Sequence, residues 1–188
     1  MRVSKPTMQR PSRQTGATLI EILVTVVLLS FGVLSLAGLQ AYSVAASKNA
    51  VNRGLAAAMA SDLADMIRAN SIGFAAGNYN KAATFVATAT SVPAIPAPPC
   101  AYPACTTAHI ATIDTNQFTS RLKATLRAGT YAVLQPGGST TRADIYIMWQ
   151  EQRAAGATVA SESSFDSCPP TVAALDPLPR CFYVRVNL

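Results

Sequence analysis

Residues 22–39 read Ile-Leu-Val-Thr-Val-Val-Leu-Leu-Ser-Phe-Gly-Val-Leu-Ser-Leu-Ala-Gly-Leu, with no charged side chain among them. A helix needs about 20 predominantly apolar residues to cross a bilayer. A single spanning segment has to be helical, because lipid offers its backbone no hydrogen-bond partner. Arg2, Lys5, Arg10 and Arg13 precede the run without any acidic residue, which keeps the leader on the cytoplasmic side by the positive-inside rule. One carboxylate, Glu21, stands at the head of the run. A charge at the centre of a membrane helix costs about 2.5–3.5 kcal/mol, less near the interface, so Glu21 is a candidate functional residue in need of a partner. A cut after Gly16 would place the new amine of Ala17 about one helical turn from Glu21 and supply that partner.

Two plainer readings fit parts of this pattern. A secretory signal has an apolar core of about 7–15 residues followed by a small-residue cut site, and Val44-Ala45-Ala46 offers such a site. The run is longer than that core, and Glu21 would be unexplained. An ordinary single-pass anchor also fits and is compatible with a processed one.

The formal net charge of +6 does not indicate a nucleic-acid partner. Four of the basic residues lie in the leader, which leaves eleven against nine acidic residues in the remainder. The basicity is therefore mostly a topology signal. Arg121, Lys123 and Arg127 make a modest basic face that reads as solvated. DNA binding is the alternative for it, without the interleaved aromatics that single-strand binders use. All four cysteines, Cys100, Cys105, Cys168 and Cys181, follow the anchor and face the periplasm, where disulfides persist. Four cysteines allow three connectivities, of which the sequence-local Cys100–Cys105 and Cys168–Cys181 is the simplest. A zinc site from these residues and His109 lacks CxxC spacing.

The chain length suits one domain. One long helix is predicted from Ala17 to about Ala69, roughly 80 Å at 1.5 Å per residue. Gly32 and Gly38 weaken it by about 1 kcal/mol each relative to Ala, and a break at Gly38 or Gly54 is the alternative. In its second half Val44, Val51, Leu55, Met59, Leu63 and Met66 recur at helical spacing. Lys48, Arg53, Asp65 and Arg68 lie off that face, with Asp65 and Arg68 placed to pair across one turn. Asn70-Ser71-Ile72-Gly73 ends the helix. Residues 71–104 read as loop, extended at 92–103 by prolines. A second helix is predicted over 106–126, with Ile110, Ile113, Phe118, Leu122 and Leu126 as its apolar stripe and Gly129 as its stop. Strands follow at 131–134, 143–150 and 181–186, with a turn at Pro136-Gly137-Gly138 and a polar loop over 154–179. In the second strand Ile145, Ile147 and Trp149 share a side, opposite Asp144, Tyr146 and Met148. In the last, Phe182, Val184 and Val186 share one. The class is α+β: a long N-terminal helix packed on a small antiparallel sheet with one extra helix. No GxSxG, HExxH, GxxxxGK[ST] or GxGxxG pattern occurs, and His109 has no activating partner in view, so no residues support an enzyme or a cofactor.

The stretch Gly16-Ala17-Thr18-Leu19-Ile20-Glu21 resembles the leader junction of type IV pilins and pseudopilins. The resemblance implies cleavage after Gly16 by a prepilin peptidase, N-methylation of Ala17, and an assembly role for Glu21 as the fifth mature residue. The chain departs from the family in carrying Ala17 where Phe or Met usually follows the cut. It implies a cleaved leader over 1–16, a transmembrane assembly helix over 17–45 and a periplasmic pilin-like domain over 46–188. The segment from Cys105 through Trp149-Gln150-Glu151, the end Cys181-Phe182-Tyr183-Val184-Arg185-Val186, and Phe31-Gly32-Val33-Leu34 with Leu39-Gln40 resemble the minor-pilin family of type IV pilus modification proteins. That resemblance implies a non-enzymatic subunit of a priming or tip complex. It would reside in the bacterial inner membrane and then in the pilus. Its partners would be other minor pilins, the major pilin and the inner-membrane assembly platform. A type II secretion pseudopilin, or a minor pilin that binds DNA or a surface, are the alternatives.

Overall fold

The computed structural model describes residues 18–101, 103–151, 167–173, 175 and 177–188. The junction Gly16-Ala17 and most of the loop expected over 154–179 lie outside the described residues. The chain separates into two compact units, Met1–Ser43 and Val44–Leu188.

Helix α1 spans Leu19–Ala69. It continues through Gly32, Gly38 and Gly54 without interruption, so none of the three glycines breaks it. The i→i−4 ladder satisfies the backbone wherever the helix runs, and one glycine's deficit of about 1 kcal/mol is small against it. Within the first unit no side chain of the apolar span is buried.

In the second unit α1 packs through Ala56, Ala60, Leu63, Ala64 and Ile67, all buried. This corrects the expected face. Val44 and Val51 remain more than half exposed and Leu55 is exposed as well, while Met59 and Met66 are only partly buried at the margin of the core. At 100° per residue the Val44–Val51–Leu55 row lies a third of a turn or more from the alanine row's centre. The sheet approaches the helix where the side chains are small. The expected Asp65–Arg68 pair is present at 2.8 Å, on the exposed side.

Asn70 follows α1 directly, and a short helix α2, Ser71–Ala75, that the sequence did not announce begins after it. Asn70 caps α2 by accepting from the Gly73 N–H. It also donates to the Tyr79 hydroxyl at 3.1 Å and to the Thr107 carbonyl at 2.8 Å. Tyr79 in turn donates to Asp114, and burial together with that carboxylate pushes its phenol well up. One small network thus joins the end of α1, α2, the following loop and the second long helix.

That helix, α3, spans Thr107–Thr125. Thr106 caps it by accepting from the His109 N–H. Its buried face is Ala111, Phe118 and Leu122, extended by Leu126. Ile110 is exposed and Ile113 only half-buried, so the expected stripe is shifted by one residue at its N-terminal end. After α3 the positive φ falls on Ala128, at 51°. Gly129 serves a different need: a Cβ there would sit 2.8 Å from the carbonyl oxygens of both Leu122 and Leu126.

The sheet is antiparallel in the order β1 (Thr130–Leu134), β2 (Arg142–Trp149) and β3 (Arg180–Asn187). A 3₁₀ turn at Pro136–Gly138 lies between β1 and β2. Lys81 pairs with Val133 through two 3.0 Å backbone bonds and so covers part of the outer edge of β1. The alternation read from the sequence holds. Ala143, Ile145, Ile147 and Trp149 face the core with Tyr131, Val133 and Val186, over α1 and α3. Phe118 meets Tyr131 edge-on, with ring centroids 5.0 Å apart. On the other face Ala132, Met148, Val172 and Cys181 form a second, smaller cluster.

Candidate assembly surface

Glu21 stands in the first turn of α1 and is solvent-exposed in the isolated chain. The Glu21 and Ile22 N–H groups both donate to the Thr18 carbonyl, at 3.0 and 3.2 Å, which starts the helix there. A carboxylate in the first turn is favoured by the positive end of the helix dipole. Gly16 and Ala17 lie outside the described residues, so the proposed amine partner of Glu21 has no geometry here.

The span that follows is built for a medium without water. Its hydroxyls are satisfied within the helix: Thr25 donates to the Ile22 carbonyl at 2.8 Å, Ser30 to Val26 at 2.7 Å and Ser35 to Phe31 at 2.9 Å. Back-bonding of this kind removes the donor that lipid would leave unpaired. The large side chains, Leu29 and Phe31 among them, project outward and are exposed among the described residues. At Gly32 and Gly38 an added Cβ would meet no atom within 4 Å, so the chain's own packing asks for neither glycine. This helix is long and apolar enough to cross a membrane.

Both disulfides of the second unit are formed. Cys100 pairs with Cys105, and Cys168 with Cys181. The first closes the proline-rich loop, and the second joins the chain before β3 to the strand's first turn, within the smaller apolar cluster. With all four thiols in S–S bonds, none is a thiolate for zinc.

Residues 38–116 match the Tt1218-like family, described as type IV pilin Tt1218. Over these residues the chain is similar to type IV pilins, which supports the type IV pilin superfamily. No curated protein and no solved structure matches the chain. The matched stretch runs from within α1 through α2 and the first disulfide into α3. The chain's long apolar helix, extra helix and three-stranded sheet are consistent with the pilin fold.

Several polar residues of the second unit gain roles that the linear sequence does not display. Asp144 lies opposite Arg185 in the β2–β3 ladder. Arg185 donates to both carboxylate oxygens, Nε to Oδ1 at 2.6 Å and Nη2 to Oδ2 at 2.9 Å, and the Tyr183 hydroxyl donates to Oδ1 at 3.0 Å. The Arg185 hydrogen bonds hold the Asp144 carboxyl below the usual carboxylate range against the opposing effect of burial. Tyr146 and Tyr183 stand side by side with ring centroids 4.9 Å apart. Glu151 and Arg180 form a buried pair at 2.5 Å. Arg121, part of the expected basic face, is engaged with Asp62 of α1 at 3.0 Å. Lys81 holds its ammonium 3.8 Å from the Tyr131 ring centroid. Burial, with Lys123 adding repulsion, pushes the Lys81 ammonium down to about 8. The strand alternation pointed at Asp144, but its partner required the register. Nothing in the sequence distinguished Lys81 from a solvated lysine.

Among the described residues no three His, Cys, Asp or Glu side chains are grouped to hold a metal ion. His109 lies on the first turn of α3, half-buried, with its backbone N–H engaged at the cap.

Proposed function

We propose that the chain is a minor pilin that acts in type IV pilus assembly, in a priming or tip complex, after processing by a prepilin peptidase. Within the family it is most like PilV, the type IV pilus modification protein. The observation that carries this reading is the anchor half of α1. It has a carboxylate in its first turn and a long apolar surface that no described residue buries. A helix of that kind is stable in lipid or in a bundle of like helices. The family match supplies the second context.

In this reading the leader is cut after Gly16, the new Ala17 amine is methylated, and the anchor over residues 17–45 first spans the inner membrane with residues 46–188 in the periplasm. The helix then leaves lipid for a bundle with other minor pilins and the major pilin, delivered by the assembly platform. The amine of Ala17, from the same chain or a neighbour, neutralises Glu21. At 4 Å and an effective dielectric near 20, Coulomb's law gives about 4 kcal/mol before desolvation is subtracted, enough to help set the register between subunits.

Glu21→Ala tests the reading. The variant is expected to be cleaved after Gly16 to nearly the wild-type extent, because the cut lies outside the pair, and to be lost from sheared pili or from pull-downs of the priming complex. Mass spectrometry of the N-terminal peptide measures cleavage and methylation, and immunoblotting measures incorporation. Normal incorporation of cleaved Glu21→Ala protein would remove the assembly role of the carboxylate. A mature N-terminus near Ser47 would restore the secretory-signal reading.

A further inference from the structure

The second unit carries a polar cavity of about 360 Å³ where α1 emerges from the apolar span, between that helix and the end of α3. Ser47, Lys48, Asn49 and Asn52 line it from α1, Arg127 from the segment after α3, and Gln150 from the segment after β2. No acidic residue contributes to the lining. Among the described residues neither the Lys48 ammonium nor the Arg127 guanidinium has an ion-pair or hydrogen-bond partner, and both side chains are exposed. Gln150 is fixed in place by its N–H, which donates to the Arg127 carbonyl at 2.9 Å. Its side-chain Oε1 is buried and accepts no hydrogen bond among the described residues. The cavity therefore offers two unpaired cations, side-chain amides and an unused acceptor within one small volume. These match a phosphodiester that carries a hydroxyl or ammonium donor beside it. A buried acceptor without a partner costs stability, and a bound donor removes that cost.

The position along α1 selects the source of that phosphodiester. Tyr42 is exposed, and amphipathic aromatic side chains sit at the headgroup level of a membrane. Ser47 follows five residues later, about 7–8 Å along the helix axis, comparable to the thickness of one headgroup layer. We infer that the cavity binds the headgroup of a membrane phospholipid, with its phosphate between Lys48 and Arg127 and its hydroxyl or ammonium group donating to Gln150. The inference rests on the reading of residues 17–45 as a membrane anchor. It assigns the second unit a lipid contact that the chain must give up on leaving the bilayer.

The test uses the full chain, inserted into nanodiscs that contain phosphatidylglycerol and then released into detergent, with bound lipid counted by native mass spectrometry. The wild type is expected to retain one phosphatidylglycerol. Each basic side chain near an anionic surface contributes about fivefold in affinity, so Lys48→Gln with Arg127→Gln is expected to weaken retention roughly 25-fold. The charge-conserving pair Lys48→Arg and Arg127→Lys should restore it. Arg142→Gln, which removes one positive charge at the opposite end of β2 from Gln150, should leave it unchanged. Equal retention by wild type and the double Gln variant would overturn the site. Displacement of the lipid by an equal concentration of inorganic phosphate would assign the cavity to free phosphate and overturn the lipid. Failure of the wild type to insert into the nanodisc would overturn the anchor reading and this inference with it, whereas normal insertion with unchanged retention would overturn this inference alone.

Discussion

The two halves of α1 share one backbone and follow opposite rules. In the half before Ser43, large apolar side chains point outward on every side and none is buried. In the half after it, the buried positions are mostly alanine, with Leu63 and Ile67 as the only large aliphatic residues among them. The first half is selected for a surrounding it does not carry, the second for the close approach of its own sheet. Hydrophobicity therefore measures different things along the same helix: an exposed apolar surface in one place, and room for packing in the other.

The sharpest way to break this comparison is to make the same truncation on both sides. Leu63→Ala empties a fully buried position and is expected to lower the stability of the second unit by about 2–5 kcal/mol, whereas Leu34→Ala should change it by less than about 0.5 kcal/mol. Trp149, the single tryptophan and itself buried, reports unfolding by fluorescence in a denaturant series on the full chain. Equal losses would mean that the anchor half is packed against the second unit after all.

The second unit is also stapled, and the anchor is not. Cys181→Ser opens a disulfide with a sequence separation of 13, worth about 3 kcal/mol in the chain-entropy account, whose mechanism is disputed. Cys105→Ser opens a separation of 5 and should cost less, about 2 kcal/mol. Thermal melts of the two variants give the order directly, and the reverse order would show that the proline-rich loop contributes more than its length predicts.

Charge sharpens the contrast further. The folded chain holds the Lys81 ammonium at about 8 against an ordinary 10.5, so between these values the unfolded chain binds more protons and stability rises with pH. The rise is on the order of 1–2 kcal/mol, reduced by partial exposure, and Lys81→Met should flatten it in denaturant midpoints collected across that window. A smaller effect of opposite position belongs to Asp144. Its carboxyl is depressed in the folded state, so its contribution is complete above the ordinary value of 3.8 and is lost as pH falls through the lower, folded value. The Arg185 partner is half exposed, which keeps the pair's contribution small. Acid titration of Asp144→Asn should lack that step, and an unchanged acid limb would show that other carboxylates govern it.

Much of the architecture was legible because its signals are periodic. The uncharged run, the spacing of Phe118, Leu122 and Leu126, and the alternation Ile145, Ile147, Trp149 each translate directly into an element. The alanine face of α1 was not legible, because Ala is neutral between core and surface, and the bulkier Val44, Val51 and Leu55 compete with it at the same helical period. α2 was missed because Asn70, read as a stop, also starts the next helix through its side chain. The Asp144–Arg185 pair needed strand register, and Lys81 needed the three-dimensional course of a loop. At the candidate site, Glu21 was legible from its contrast with its surroundings. The Lys48–Arg127–Gln150 cavity draws on three segments whose juxtaposition no spacing rule encodes.

Lys81 gives the sheet a direction. Its paired backbone occupies the Val133 position on the outer side of β1, while among the described residues no strand lies beyond β3. Strand edges are templates for further strands; among the described residues β3 presents its edge over its whole length, whereas β1 is blocked at Val133. Two such domains meeting edge to edge satisfy each other's β3 and leave no second edge of equal length on which a third can add. Contact through β3 alone thus ends at a pair, and growth beyond it has to come from some other surface.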